Sequence, residues 1–406
     1  MSAQGSRDPS VDWARGVASV IMIQGHAFHG WVSPLHKQSE AYLFTRIFAT
    51  LPLPAFLVLA GAAVMYRVQA AAARGEAARE LRAALVRRGL TVFLVGYLVN
   101  AAYALLDGWD GYPTFLRADV LQVIGLSIAL LGGPCLRAGA DGRLDPAGTV
   151  ARAAGLGGLL TLLCPWATQL GRSLPLPWAA AAAPLVEVPG ITQMPLTPLF
   201  AWCAAGAVAG RYLAATRHTR PRVRLLFVGA VALGLTWLGA AVADALAARL
   251  PGPVDRAHLA VIPNVLEYAG RGLLVLGAGA LLSGWLPAAV QRVLTHFGRA
   301  SLWAYVLHIP FCYGRPGEAL RGQLDMAEAA GWVLLLLLGA YAAVWLRLHA
   351  ARPAALRRRA RAAVAVFAAL GLWGCDDYRP TRSDAAIPLT PDRDGGGPPG
   401  AVSGSE

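Results

Sequence analysis

The segment SVDWARGVASVIMIQGHAFHGW, residues 10–31, is apolar enough for lipid yet carries Asp12, Arg15, His26 and His29. Together with Ser19 and Met22 these residues recur in steps of three and four, so a helix places them in one stripe. Lipid penalises ionisable groups, and the stripe must therefore face protein or a wet cavity. The chemistry on offer is proton transfer or nucleophilic attack, because an imidazole titrates near neutrality. A helix rise of about 1.5 Å per residue separates Arg15 from His26 by about 16 Å, so the two cannot share one contact.

Other polar residues fall at the depth of His26. Asn100 stands in VGYLVNAAY, Asp119 and Gln122 in FLRADVLQVIG, and Glu267 with Arg271 in LEYAGRG, while His308 in SLWAYVLHIPF lies nearer the midplane. Each also has a structural explanation. Glu267 and Arg271 are spaced for a local i, i+4 ion pair. Asn100 and Gln122 suit hydrogen bonds between helices, and His308 suits packing. His26 and Asp119 stand out as intramembrane ionisable residues at matching depth.

The elements that must position these groups follow from composition. The 406 residues are 56% hydrophobic and only 15% charged, and apolar runs of roughly 20 residues, the length a bilayer core requires, recur from end to end. We read an all-α polytopic transmembrane helix bundle of about ten to eleven helices. Spans are expected near 11–31, 46–66, 84–106, 117–136, 153–170, 196–213, 225–247, 269–287, 299–315 and 328–346. The net charge of +13 does not point to nucleic acid. With a cytoplasmic N-terminus, Arg clusters fall in every second loop, at 67–88, 137–152, 211–224, 292–299 and 347–361, as the positive-inside rule requires. The N-terminus is therefore expected in the cytoplasm, and the expected location is a bacterial inner (plasma) membrane.

The five Cys, at 135, 164, 203, 312 and 375, lack the paired spacing of a metal or redox site, so no metal is expected. Residues 1–348 form the expected transmembrane domain. Residues 349–375 combine a basic stretch with a short apolar run ending at Cys375, which suits either an eleventh span or a lipoprotein-like signal. The Pro-, Gly- and Ser-rich tail 376–406 is expected to be disordered.

Five segments in register carry a resemblance: VDWARGVASVIMIQGH, LPLPAFLVLAGAAVMYR, RRGLTVFLVGYLVN, FLRADVLQVIGLSIALL and FGRASLWAYVLHIPF. They resemble the heparan-alpha-glucosaminide N-acetyltransferase-like family of transmembrane acyltransferases, related to acyltransferase family three, over roughly residues 8–348. The resemblance implies transfer of an acyl group, usually acetyl, from cytoplasmic acetyl-CoA to a sugar hydroxyl or amine on the other side. The partners would be membrane lipid and a glycan or glycolipid acceptor. Arg15 and Asp12, backed by Arg87 and Arg88, would hold the donor at the cytoplasmic mouth. His26 would act as general base or transient nucleophile, with Asp119 orienting its ring. Asn100, Gln122, Glu267, Arg271 and His308 would line the acceptor side. The best-known animal enzyme of the family has Asn where this chain has His26, with its proposed catalytic His later, which leaves His29 and His36 as alternative positions. The departure favours a bacterial-style envelope glycan or lipid-linked sugar as acceptor.

Two other classes stay open. The same ionisable residues spread through the membrane would suit a proton-coupled transporter or a flippase of a lipid-linked sugar. Broken helices near the midplane would favour that reading, and GVASVIMIQGH contains no Pro to break it. A membrane scaffold would leave the buried charges unexplained.

Overall fold

The computed structural model describes residues 9–106, 115–140, 142–215, 221–249, 253–283 and 285–349. The apolar run before Cys375, Cys375 itself and the tail 376–406 lie outside these residues. Among the described residues there are thirteen α-helices and no strand. They are α1 (Pro9–Trp31), α2 (Glu40–Ala49), α3 (Pro52–Ala73), α4 (Ala78–Leu106), α5 (Val120–Gly132), α6 (Pro146–Ser173) and α7 (Leu176–Ala182). After these come α8 (Leu196–Ala215), α9 (Pro221–Ala247), α10 (Pro253–Leu282), α11 (Ala288–Arg299), α12 (Ser301–Tyr313) and α13 (Met326–Leu348). The chain is an all-α polytopic helix bundle, and all ten expected spans contain helix.

Among the described residues, six segments are long and apolar enough to cross a membrane: Glu40–Ala73, Ala78–Ala102, Pro146–Ser173, Arg222–Val242, Ala260–Leu282 and Met326–Leu348. Two expected spans are shorter than the sequence suggested. Helices α5 and α12 have 13 residues each, about 20 Å of helix against a hydrocarbon core of about 30 Å. Local chemistry explains both. Asp119 caps α5 with its side chain, and Ala118 is occupied in a bridge to Thr192, so the helix starts late. Gly133 and Pro134 end it early. The break at Ala300 separates α12 from the amphipathic α11, and Gly314 and Pro316 stop α12 at its other end.

Helix α1 runs through the middle of the bundle and packs on α3, α10, α11, α12 and α13. Its apolar faces are Ala14 and Ala18 toward one core, and Ile23 and Ala27 toward a second core that includes Phe297 and Val333. Small residues set the close approaches. A side chain at Gly16 would strike the carbonyl of Leu294, and one at Gly298 the carbonyl of Asp12, so α1 and α11 meet backbone to backbone.

The described residues of the Arg-rich loops gather at one end of the bundle. Arg15 reaches the carbonyl of Leu59 on α3 while Gly25 meets Ala49, just before the start of α3, so α1 and α3 run antiparallel. At the end holding the start of α1, Gln69 donates to the Arg211 carbonyl (3.3 Å) and Arg82 to the Leu136 carbonyl (3.0 Å). There too, Arg67 pairs with Glu76 (2.7 Å) and His296 bonds the Tyr341 hydroxyl (3.2 Å). At the other end, Trp31 donates its indole N–H to the Phe311 carbonyl (3.0 Å), and Leu324 donates to the Trp31 carbonyl (3.1 Å).

Candidate active site

The two bonds at Trp31, with a third from the Gly322 amide to the Gly30 carbonyl (3.0 Å), lock the end of α1 to α12 and the loop after it. One turn inward this lock brings His26 against His308. Nε2 of His308 lies 3.4 Å from Nδ1 of His26, and the ring centroids are 5.2 Å apart. His308 is fully buried, and its Nδ1 lies 2.8 Å from the Ala304 carbonyl. A carbonyl only accepts, so His308 Nδ1 carries the proton, and in the neutral ring Nε2 is left as acceptor. His26 Nδ1 must then donate to it, which leaves the lone pair of His26 on Nε2, the nitrogen turned away from His308. The spacing is at the long end for a hydrogen bond.

Aromatic rings enclose the pair. Tyr313 lies tilted against His26 with centroids 5.5 Å apart, and Tyr305 meets His308 edge-on at 5.8 Å. His29, one turn outward, contacts the Tyr313 ring at 6.3 Å and the Tyr42 hydroxyl through Nδ1 at 3.5 Å. His36 lies in the following turn with Nδ1 bonded to the Ser33 hydroxyl at 2.9 Å. Met22, Leu121, Tyr305 and Ile309 form the apolar floor that joins α1, α5 and α12.

The structure places Asp119 beside this cluster without bonding it to His26. Its carboxylate accepts from the Val120 amide (2.7 Å), closes a reciprocal capping box with Gln122, and pairs with Arg117 (3.7 Å). Its charge still acts on the hydroxyls of Tyr305 and Tyr313. Gln122 is buried and committed: its oxygen accepts from the Asp119 amide (3.1 Å), and it lies against Gly96, where any side chain would collide with it. Asn100 donates to the carbonyls of Arg117 (2.7 Å) and Phe115 (3.2 Å), tying α4 to the entrance of α5.

The remaining expected residues lie elsewhere. Arg15 donates to the Leu59 carbonyl (3.2 Å) and pairs with buried Asp12 (3.7 Å), at the Arg-rich end. Arg87 and Arg88 are exposed on α4, which packs chiefly on α5. Glu267 and Arg271 bond one another within α10, and Arg271 lies over the Tyr268 ring at 4.7 Å.

Sequence reasoning missed Tyr305, Tyr313, Arg46 and Arg117. Arg46 and Arg117 both act electrostatically on His26 and Tyr313. The stripe test applied to α1 would have found Tyr305, since 305, 308 and 312 repeat in steps of three and four on α12. Arg46 carried no such signal, because its helix α2 lies across a turn from α1. Among the described residues, no group of three or more His, Cys, Asp or Glu is placed to hold a metal.

The comparisons with known proteins bear on the first part of the chain. The family described as "Heparan-alpha-glucosaminide N-acetyltransferase, catalytic" matches residues 7–243. That range includes His26, Asp119, Arg15, Asn100 and Gln122, and stops before Glu267, Arg271 and His308. No curated protein matches the chain. The match covers more than half of the sequence and supports an acetyltransferase-type activity at a membrane. On that match, the chain belongs to the heparan-alpha-glucosaminide N-acetyltransferase catalytic family.

Proposed function

We propose that this protein is a membrane acyltransferase that moves an acetyl group from cytoplasmic acetyl-CoA to a sugar hydroxyl or amine of an envelope glycan or glycolipid. The observation that carries the reading is the His26–His308 pair, in which one imidazole fixes the tautomer of the other. His26 Nε2 removes the acceptor proton as the acceptor oxygen or nitrogen bonds the acetyl carbon, the carbon–sulfur bond breaks, and the proton passes on to the departing CoA thiolate. His308 is a positioning residue and plays the part that the sequence alone suggested for Asp119. Asp119 acts at one remove, holding Arg117 and bearing on the two tyrosine hydroxyls.

On the donor side, Arg15 supplies the guanidinium for the nucleotide phosphates, with Asp12 holding it in place and Arg87 and Arg88 adding positive potential at the same mouth. The gathering of Arg-rich loops at that end supports a cytoplasmic N-terminus and an inner-membrane location. The transporter reading finds less support, because α1 runs unbroken from Pro9 to Trp31 and transporters of that kind favour interrupted helices at the substrate site. Incubating detergent-purified protein with labelled acetyl-CoA and an amino-sugar acceptor tests the proposal. Label should reach the acceptor with the native protein and not with His26→Ala. Equal transfer by both would overturn it.

A further inference from the structure

The floor of the histidine site is also the back wall of a second feature. A cavity of about 380 Å³ lies between α4 and α12, lined by Val95, Val99 and Ala102 on one side and by Val306, Pro310 and Gly314 on the other. Val95, Val99 and Val306 pack directly on the cluster of Met22, Tyr305 and Ile309 beneath His26 and His308. Every lining residue is apolar, and Leu98 and Trp303, also in its wall, are exposed on a face that the span of α4 turns to the bilayer.

Its outer mouth differs in character. Gly314 lines the cavity, and its carbonyl accepts from Arg321, which also bonds the carbonyl of Tyr313, the residue whose ring lies against His26. Arg315 stands between the lining residues Gly314 and Pro316. Across the mouth, Asn100, next to Val99, holds the backbone of Arg117 (2.7 Å). The guanidinium of Arg117 reaches Gln193 and Asp119, and its Nε is buried without a partner. An apolar slot open to lipid, ending in arginines one ring away from the reacting histidine, matches a molecule with a long apolar chain and an anionic junction.

We infer that the acceptor is a membrane-resident lipid phosphate bearing the sugar, its chain lying between α4 and α12 and its phosphate among Arg117, Arg315 and Arg321. This rests on the acyl-transfer reading and names its acceptor class. The chain brings the sugar to His26 from within the bilayer, so the glycan is acetylated while still lipid-linked. The bond made and the bond broken are those of the transfer above, and the phosphate ester remains intact.

The test measures binding of farnesyl phosphate, farnesol and inorganic phosphate to the full-length, detergent-purified protein. Farnesyl phosphate should bind at least about tenfold more tightly than either part alone. Val306→Trp, which fills the slot, and Arg117→Gln should each weaken it by about tenfold or more. Equal affinity for farnesol would show a general lipid groove, and equal affinity for inorganic phosphate an anion site unrelated to the slot. Either result overturns the inference. Because a slot-filling variant can misfold, a photoactivatable farnesyl phosphate on the native protein gives an independent readout. Crosslinks should fall on α4 and α12, and crosslinks confined to other helices would refute the placement. Acetyl-CoA binding in the same preparation separates the two readings. A protein that binds acetyl-CoA and ignores farnesyl phosphate loses only this acceptor, whereas one that fails to bind acetyl-CoA loses the donor reading.

Discussion

His308 Nε2 stands 3.4 Å from His26 Nδ1, while the other nitrogen of His308 is tied to the Ala304 carbonyl one turn back on its own helix. A backbone carbonyl thus sets the tautomer of a buried ring, and that ring sets the tautomer of the half-buried one. The chain of bonds resembles a hydrolase triad in logic, with a carbonyl in place of the acid. If it operates so, His26→Ala should lower acetyl transfer by about 10²-fold or more, the scale of general acid–base contributions. His308→Phe should lower kcat by about tenfold or more with the KM for acetyl-CoA unchanged, and His308→Gln should recover part of the loss by restoring a polar group toward His26. The double variant should be little worse than His26→Ala alone, because groups acting in series are non-additive. Steady-state kinetics on folded variants decides this, and a KM effect without a kcat effect would place His308 in binding instead.

Asp119 offers a cleaner separation of charge from structure. Asn is as good a helix cap as Asp, so Asp119→Asn should keep α5 capped while removing the charge near Tyr305 and Tyr313. Transfer should fall by about tenfold or more with the melting temperature nearly unchanged. Asp119→Ala should in addition cost about 1 kcal/mol of stability through the lost cap. Full activity in Asp119→Asn would reduce Asp119 to a capping residue.

Arg15 lies a full 11 residues from His26 on α1. Loss of a phosphate contact there should raise the KM for acetyl-CoA and leave kcat within about threefold, the signature of lost ground-state binding. A collapsed kcat at unchanged donor affinity would place Arg15 nearer the chemistry, or show that its bond to the Leu59 carbonyl shapes the bundle.

A pH effect should come from His296, outside the spanning segments on α11. Burial lowers its pKa below the ordinary 6.5, and the nearby His349, Arg299 and Arg292 lower it further. The folded state therefore disfavours the charged ring. The stability that the neutral ring contributes is fully present above pH 6.5 and is lost as pH falls from there through the folded pKa. The melting temperature of the native protein should decline between pH 7 and pH 5 more steeply than that of His296→Gln. Parallel curves would contradict the assignment.

The arrangement of ends predicts membrane sidedness. Reporter fusions after Arg79, at the start of α4 close to the Arg67–Glu76 pair, should report cytoplasmic. Fusions after Glu187, which pairs with Arg172 at the far end of α6 (3.4 Å), should report external. The same side for both would break the link between Arg15 and the donor compartment.

The polytopic all-α character and the stripe of Asp12, Arg15, His26 and His29 are written in the sequence, because hydropathy and a 3.6-residue period are properties of one segment and its solvent. The Arg-rich loops are legible for the same reason, since each is a local count of charge. The shortness of α5 was not read from the sequence, because it depended on Asp119 turning back to cap its own helix and on Ala118 meeting Thr192 across a loop. The partner of His26 was not legible at all. Residue count put Asp119 at its depth and His308 nearer the midplane, and only the packing of α12 on α1, locked by the Trp31 and Gly30 bonds, brought an imidazole to Nδ1 and left the carboxylate capping its own helix. Depth along a helix is fixed by residue count, whereas azimuth around the bundle is decided by which helices touch, and that is a property of the folded whole.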